Sequence, residues 1–130
     1  MNYLSEEAIV DINRKVTWLS GDPFSVISRG NLEYLVSGIK YKYEDKPESE
    51  KVVLKAAFML DLIANKAHMF AEGNKRTAIT STLTFLEANG FLVNELDQNE
   101  LTNFVLSVAS GKETISGIAK WLTQRIKVRK

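Results

Sequence analysis

The chain has 130 residues, 45% of them hydrophobic, and its 17 Lys and Arg against 16 Asp and Glu leave a net charge of +1. That is enough apolar material for one compact core, and too even a charge balance to steer the protein as a whole to nucleic acid or a membrane surface. With no cysteine, disulfides, thiolate nucleophiles and thiolate metal sites are excluded.

The N-terminal residues Met1 to Glu7 lack the basic start and apolar run of a signal peptide, and no apolar stretch is long enough to cross a bilayer. A soluble, cytoplasmic protein is expected. Ser5 before Glu6-Glu7 predicts a helix N-cap with an acidic first turn. Ala8, Ile9, Ile12, Val16 and Leu19 then recur at helical spacing up to Gly21-Asp22-Pro23, which stops the helix. Asn31 is expected to cap a second helix carrying Leu32, Leu35, Val36 and Ile39.

The polar stretch Lys40 to Glu50 reads as a loop or short flap. A third helix, from about Glu48 to Lys66, is apolar nearly all round and should be the buried central helix. A fourth, Thr77 to Ala88, is closed by Asn89-Gly90, and a short strand is possible near Phe91-Leu92-Val93. Asp97 should cap a fifth helix holding Leu101, Phe104, Val105 and Val108; Thr114 or Ser116 begins a sixth with Ile118, Trp121, Leu122 and Ile126. The basic ending, Gln124 to Lys130, reads as cations at a helix C-terminus rather than a nucleic-acid tail. Trp18 and Trp121 are expected in the core. The fold class is therefore all-α, a single-domain bundle over residues 1–130 of about six helices with a buried central helix.

One run concentrates chemistry: His68-Met69-Phe70-Ala71-Glu72-Gly73-Asn74-Lys75-Arg76, which holds the only histidine. It enters a helix, whose first N–H groups lack intrahelical partners and whose dipole favours anions. Gly73 permits close backbone approach, so the Gly73-Asn74-Lys75 amides could form an anion nest. Arg76 adds a planar fork for phosphate oxygens and Lys75 a compact charge, and the Asn74 side chain could bond across the turn or to a phosphate. The bland reading is a solvated Lys-Arg pair, although cations there oppose the dipole at a small cost. Glu72 could hold a Mg²⁺ that bridges nucleotide phosphates; its bland reading is a carboxylate favoured near a helix start. His68 could act as general base near neutral pH, although a lone histidine is more often structural. Phe70 should anchor the loop in the core. One histidine and no cysteine cannot build a typical zinc site. Neither a Walker A loop nor a protein-kinase catalytic segment is present.

The run fills every defined position of His-x-Phe-x-(Asp/Glu)-(Gly/Ala)-Asn-(Gly/Lys)-Arg, and in this it resembles the Fic/Doc family. Thr77-Ala78, Phe85-Leu86, Asn89-Gly90 and Ser107 to Lys112 with Ile115-Ser116 are similar to the corresponding stretch of the family's Doc-type toxins. The likeness is good over roughly residues 54–126 and loose in the N-terminal third. Family members that transfer AMP have glycine where this chain has Lys75, leaving space for an α-phosphate. Lysine there is the Doc-type pattern, in which ATP binds the other way round and its γ-phosphate goes to a protein threonine, on elongation factor Tu.

The resemblance therefore implies an ATP-dependent protein kinase toxin that arrests translation. His68 would be the catalytic base, Glu72 the Mg²⁺ ligand, and Gly73, Asn74, Lys75 and Arg76 the phosphate-binding residues. It also places the target-docking flap at Lys40 to Glu50. Gly73 stands where Doc-type toxins have alanine, a departure toward AMP transfer, which stays open as the alternative. A catalytically silent binding module is a third reading, against which the complete motif argues. The family's inhibitory Ser/Thr-x-x-x-Glu-(Gly/Asn) segment is missing, because no glutamate has Ser or Thr four residues before it. The resemblance then implies inhibition in trans by a Phd-type antitoxin whose disordered tail folds on the toxin, with no direct nucleic-acid or membrane partner.

Overall fold

The structure, a computed structural model, describes residues 1–129. Helix α1 (Glu6–Ser20) starts as its sequence predicts, with the Ser5 hydroxyl accepting the Ala8 N–H at 3.1 Å, and ends on Gly21 in the left-handed region at φ 75°. Its inward stripe is Ile9, Val10, Asn13 and Thr17. Trp18, one residue on, is rotated about 100° off that stripe and is 79% exposed. The expectation of a core Trp18 is thus corrected.

Helix α2 (Arg29–Gly38) is capped by Ser28, whose hydroxyl accepts the Asn31 N–H at 3.2 Å. Asn31 is therefore not the cap. It lies inside the helix, and its side-chain amide donates to the Ala67 carbonyl at 2.7 Å. Both residue types suit a cap, and the chain uses the earlier one.

Helix α3 (Glu48–Asp61) continues into one π-helical turn, Leu62–Lys66, where the Ala67 N–H reaches back to the Leu62 carbonyl at 2.9 Å. Wide turns of this kind recur at functional sites. As the apolar sequence predicts, α3 is central: it packs on helices α4 (Asn74–Ala88), α5 (Gln98–Ala109) and α6 (Ile115–Thr123), while α1 packs on α4 and α2. Helix α4 begins three residues before the apolar pattern that announces it, because its first turn carries only polar side chains. The caps of α5 and α6 are Asp97 and Thr114, accepting the N–H groups of Glu100 (2.9 Å) and Gly117 (3.0 Å). Trp121 is half-buried and stacks on Phe104 with centroids 4.2 Å apart.

The basic ending is not a helix terminus. Helix α6 stops at Thr123, and Lys127–Val128 (β2) pairs antiparallel with Phe91–Leu92 (β1). Its cations are matched locally: Lys127 to Glu95 at 2.9 Å, Arg125 to Glu100, and Arg129 to the Glu87 carbonyl at 2.9 Å. Lys130, the last residue of that basic run, lies outside the described residues. The fold is all-α, with six α-helices among the described residues and one two-stranded ribbon. Among those residues no helix is long and apolar enough to cross a membrane.

The polar stretch Lys40 to Glu50 folds as successive turns, with Tyr43 at φ 65°, before α3 begins at Glu48. A fully buried lysine holds it. The Lys55 ammonium donates to the carbonyls of Ile39 (2.6 Å) and Lys40 (3.3 Å) and to the Tyr3 hydroxyl (3.1 Å), and pairs with Glu44 at 2.7 Å. A buried ammonium needs such saturation, and here it fastens the turns to the core.

Candidate active site

The loop between the π-helical turn and α4 is fixed from three sides. Met69 and Phe70 are buried, as expected of Phe70. The segment Ser25 to Ser28 runs antiparallel beside them: Val26 bridges Phe70, the N–H groups of Ile27 and Ser28 donate to the Met69 carbonyl at 2.8 and 3.1 Å, and the Ala71 N–H donates to Ser25 at 3.0 Å. From α1, the Asn13 amide donates to the Glu72 carbonyl at 2.8 Å and to the Thr77 hydroxyl at 3.0 Å. A polar residue on the inward stripe of α1 is the sequence signal for this role. The docking flap expected at Lys40 to Glu50 does not pair with the loop; Ser25 to Ser28 does.

Asn74 closes the loop on itself. Its side-chain oxygen accepts the Phe70 N–H at 3.2 Å and its amide donates to the Phe70 carbonyl at 2.7 Å. Both ends of the side chain are thus engaged in shaping the turn, with the Asn74 backbone N–H and the second amide N–H left for a ligand. Gly73 is in the left-handed region at φ 77°, and a Cβ there would come within 3.1 Å of Val16 and 3.3 Å of Asn13. The absence of a side chain lets the loop press against α1 and turn into α4.

The Thr77 N–H closes the first turn on the Gly73 carbonyl at 2.9 Å. Among the described residues no acceptor takes the N–H groups of Asn74, Lys75 and Arg76. They are the orphan donors of a helix start and carry its positive potential. Beside them is an open cavity of about 370 Å³, lined by Glu72, Gly73, Asn74, Lys75 and Arg76 and, from α4 and α5, by Ile79, Thr102, Val105 and Leu106. This is within the size range of small-molecule sites. One wall is cationic and the other largely apolar. The last three lining residues are not identifiable from sequence, because α5 reads simply as an amphipathic helix.

Lys75 is exposed and takes part in none of the ion pairs among the described residues. Arg76 is half-exposed and bonded to α1, donating to the Val16 carbonyl at 3.1 Å and the Asp22 carboxylate at 3.3 Å. His68 is exposed, at φ 44°, and outside the lining of the cavity. It is four residues from Glu72, on the loop that Met69 and Phe70 anchor. Among the described residues no group of three or more potential metal-ligating side chains gathers. Glu72 is exposed at the cavity, and a single carboxylate fits Mg²⁺ held jointly with phosphate oxygens rather than in an all-protein cage.

A sequence model of the Fic/DOC family matches residues 3–86, more than half of the chain. The match takes in α1 to α3, the loop and nearly all of α4, and so includes the N-terminal third where residue-by-residue likeness is loose. Among characterised proteins, Protein kinase doc of Escherichia phage P1 is 24% identical over 123 residues, covering 94% of this chain and 94% of that protein.

Proposed function

Because the chain belongs to the Fic/DOC family, we propose that it is a Doc-like toxin of a toxin–antitoxin module, a protein kinase that moves the γ-phosphate of ATP to a serine or threonine hydroxyl. By resemblance the target is a translation factor, elongation factor Tu, and the inhibitor a Phd-type antitoxin acting in trans. The observation that carries the reading is the start of α4, where free N–H groups, Lys75 and Arg76 open on one cavity.

Phosphoryl transfer asks a protein mainly for positioning and charge stabilisation. The orphan N–H groups of α4, with Lys75 and Arg76, would hold the phosphates, and the apolar wall from Ile79, Val105 and Leu106 would take the less polar part of the nucleotide. Glu72 would hold Mg²⁺ together with phosphate oxygens, and the bound ion supplies charge neutralisation. His68 would take the proton of the target hydroxyl. The hydroxyl oxygen then bonds to the γ-phosphorus as the bond to the ADP oxygen breaks. An exposed base outside the cavity lining suits an acceptor that arrives on another protein. Ser25 to Ser28, hydrogen-bonded to the His68 loop, is the better candidate for docking that protein than Lys40 to Glu50.

Transfer of AMP is the second reading, favoured by Gly73 in place of the Doc-type alanine. Parallel reactions with ATP labelled at the γ or the α position, in a translation extract, separate the two. Label transferred from the γ position to a protein supports the kinase. Transfer from the α position alone would replace it with AMP transfer, and transfer from neither would favour a silent binding module.

A further inference from the structure

A cation in the first turn of a helix opposes the dipole, so the surroundings of Arg76 call for an explanation. Its guanidinium reaches to the opposite kind of helix end. One terminal nitrogen donates to the Val16 carbonyl at 3.1 Å and the other to the Asp22 carboxylate at 3.3 Å, both at the C-terminal end of α1, where helix carbonyls carry negative potential. Asp22 is itself held. Gly21 turns the chain at φ 75°, the Asp22 N–H donates to the Thr17 carbonyl at 2.9 Å, and the Ser20 hydroxyl donates to the same carboxylate oxygen at 2.7 Å.

A guanidinium has five N–H donors in a rigid fork, and these contacts engage one on each terminal nitrogen. Arg76 lines the cavity at the start of α4, whereas neither Asp22 nor Val16 does. The carboxylate thus holds the guanidinium from outside the cavity lining. We infer that Asp22 is a positioning residue for phosphate binding: it fixes the Arg76 guanidinium from the α1 side so that the remaining donors address the cavity. The inference rests on reading the start of α4 as a phosphate site. A competitor role, with Asp22 occupying the arginine until phosphate displaces it, predicts the opposite sign on mutation.

The test is calorimetric binding of magnesium tripolyphosphate and of magnesium ATP to the full chain, with thermal melting of each variant. The Asp22 and Arg76 side chains are 39% and 47% exposed, so the effect is modest. Asp22→Ala should raise Kd about fivefold, the most that a half-exposed ion pair supplies. Asp22→Asn, which keeps one acceptor oxygen and decides the matter if the alanine variant misfolds, should raise it about twofold. Melting should fall by no more than the small worth of a half-exposed ion pair, and Asp22→Ala should add nothing to the binding loss in an Arg76→Ala background. Unchanged or tighter binding by the Asp22 variants, or an additive loss in the Arg76→Ala background, would overturn the inference. Binding by the parent that depends on Arg76 but not on Asp22 sinks the inference alone. A parent chain that binds neither probe sinks the phosphate site and the inference together.

Discussion

At His68 the backbone adopts φ 44°, and Tyr43 is the other non-glycine residue with positive φ among those described. Histidine enters this region more readily than most residues, and the buried Met69 and Phe70 beside it hold the strain. Because the imidazole is exposed, His68→Ala should leave melting nearly unchanged while label transfer from ATP falls by about a hundredfold or more, the usual worth of a general base. Nucleotide binding should survive. Equal transfer by that variant would show that the base lies elsewhere. In the proposed reading Lys75 separates the two chemistries, so Lys75→Gly should lower γ-transfer and open α-transfer; undiminished γ-transfer would remove the argument from lysine. Gly73→Ala meets Val16 at 3.1 Å in a left-handed conformation and should cost about 1–2 kcal/mol in denaturant unfolding, part of which Val16→Ala restores.

At the scale of elements, the turns of Lys40 to Glu50 are tied to α3 through Lys55 and Glu44. The hydrogen bond from Lys55, and secondarily the positive charges of Lys55 and Lys51, hold the Glu44 carboxyl below the usual carboxylate range. A carboxylate with a lowered folded pKa stabilises the fold above its unfolded pKa and loses that contribution as pH falls through the folded value. Glu44→Gln should therefore melt at a lower temperature than the parent near neutral pH. The gap should close with acidification below about pH 4; a gap that persists there would mean that the pair contributes nothing through charge.

Much at this scale is legible in the sequence. Period and caps give α1, α5 and α6 because Ser5, Asp97 and Thr114 each stand directly before an apolar stripe. The centrality of α3 follows from its all-round apolar run, and the motif from His68 to Arg76 marks the candidate site. Other features depend on contacts between segments distant in the chain, which one-dimensional periodicity does not record. Asn13 supports Glu72 and Asn31 supports Ala67 across 59 and 36 residues. Ser25 to Ser28 pairs with a loop more than forty residues on, and β2 forms only because β1 is there to receive it. Trp18 escapes the core by one residue's rotation.

For the molecule as a whole, a net charge of +1 leaves attraction of a nucleotide to local groups, and these gather where α1 ends and α4 begins. In the proposed reading the first turn of α4 grips the phosphates of a nucleotide. The most direct test is titration of the ¹⁵N-labelled chain with magnesium ATP, followed by amide NMR. The largest shifts should fall on Gly73, Asn74, Lys75 and Arg76, with smaller ones at Thr102, Val105 and Leu106. Saturable binding whose shifts cluster elsewhere and spare the start of α4 would contradict it.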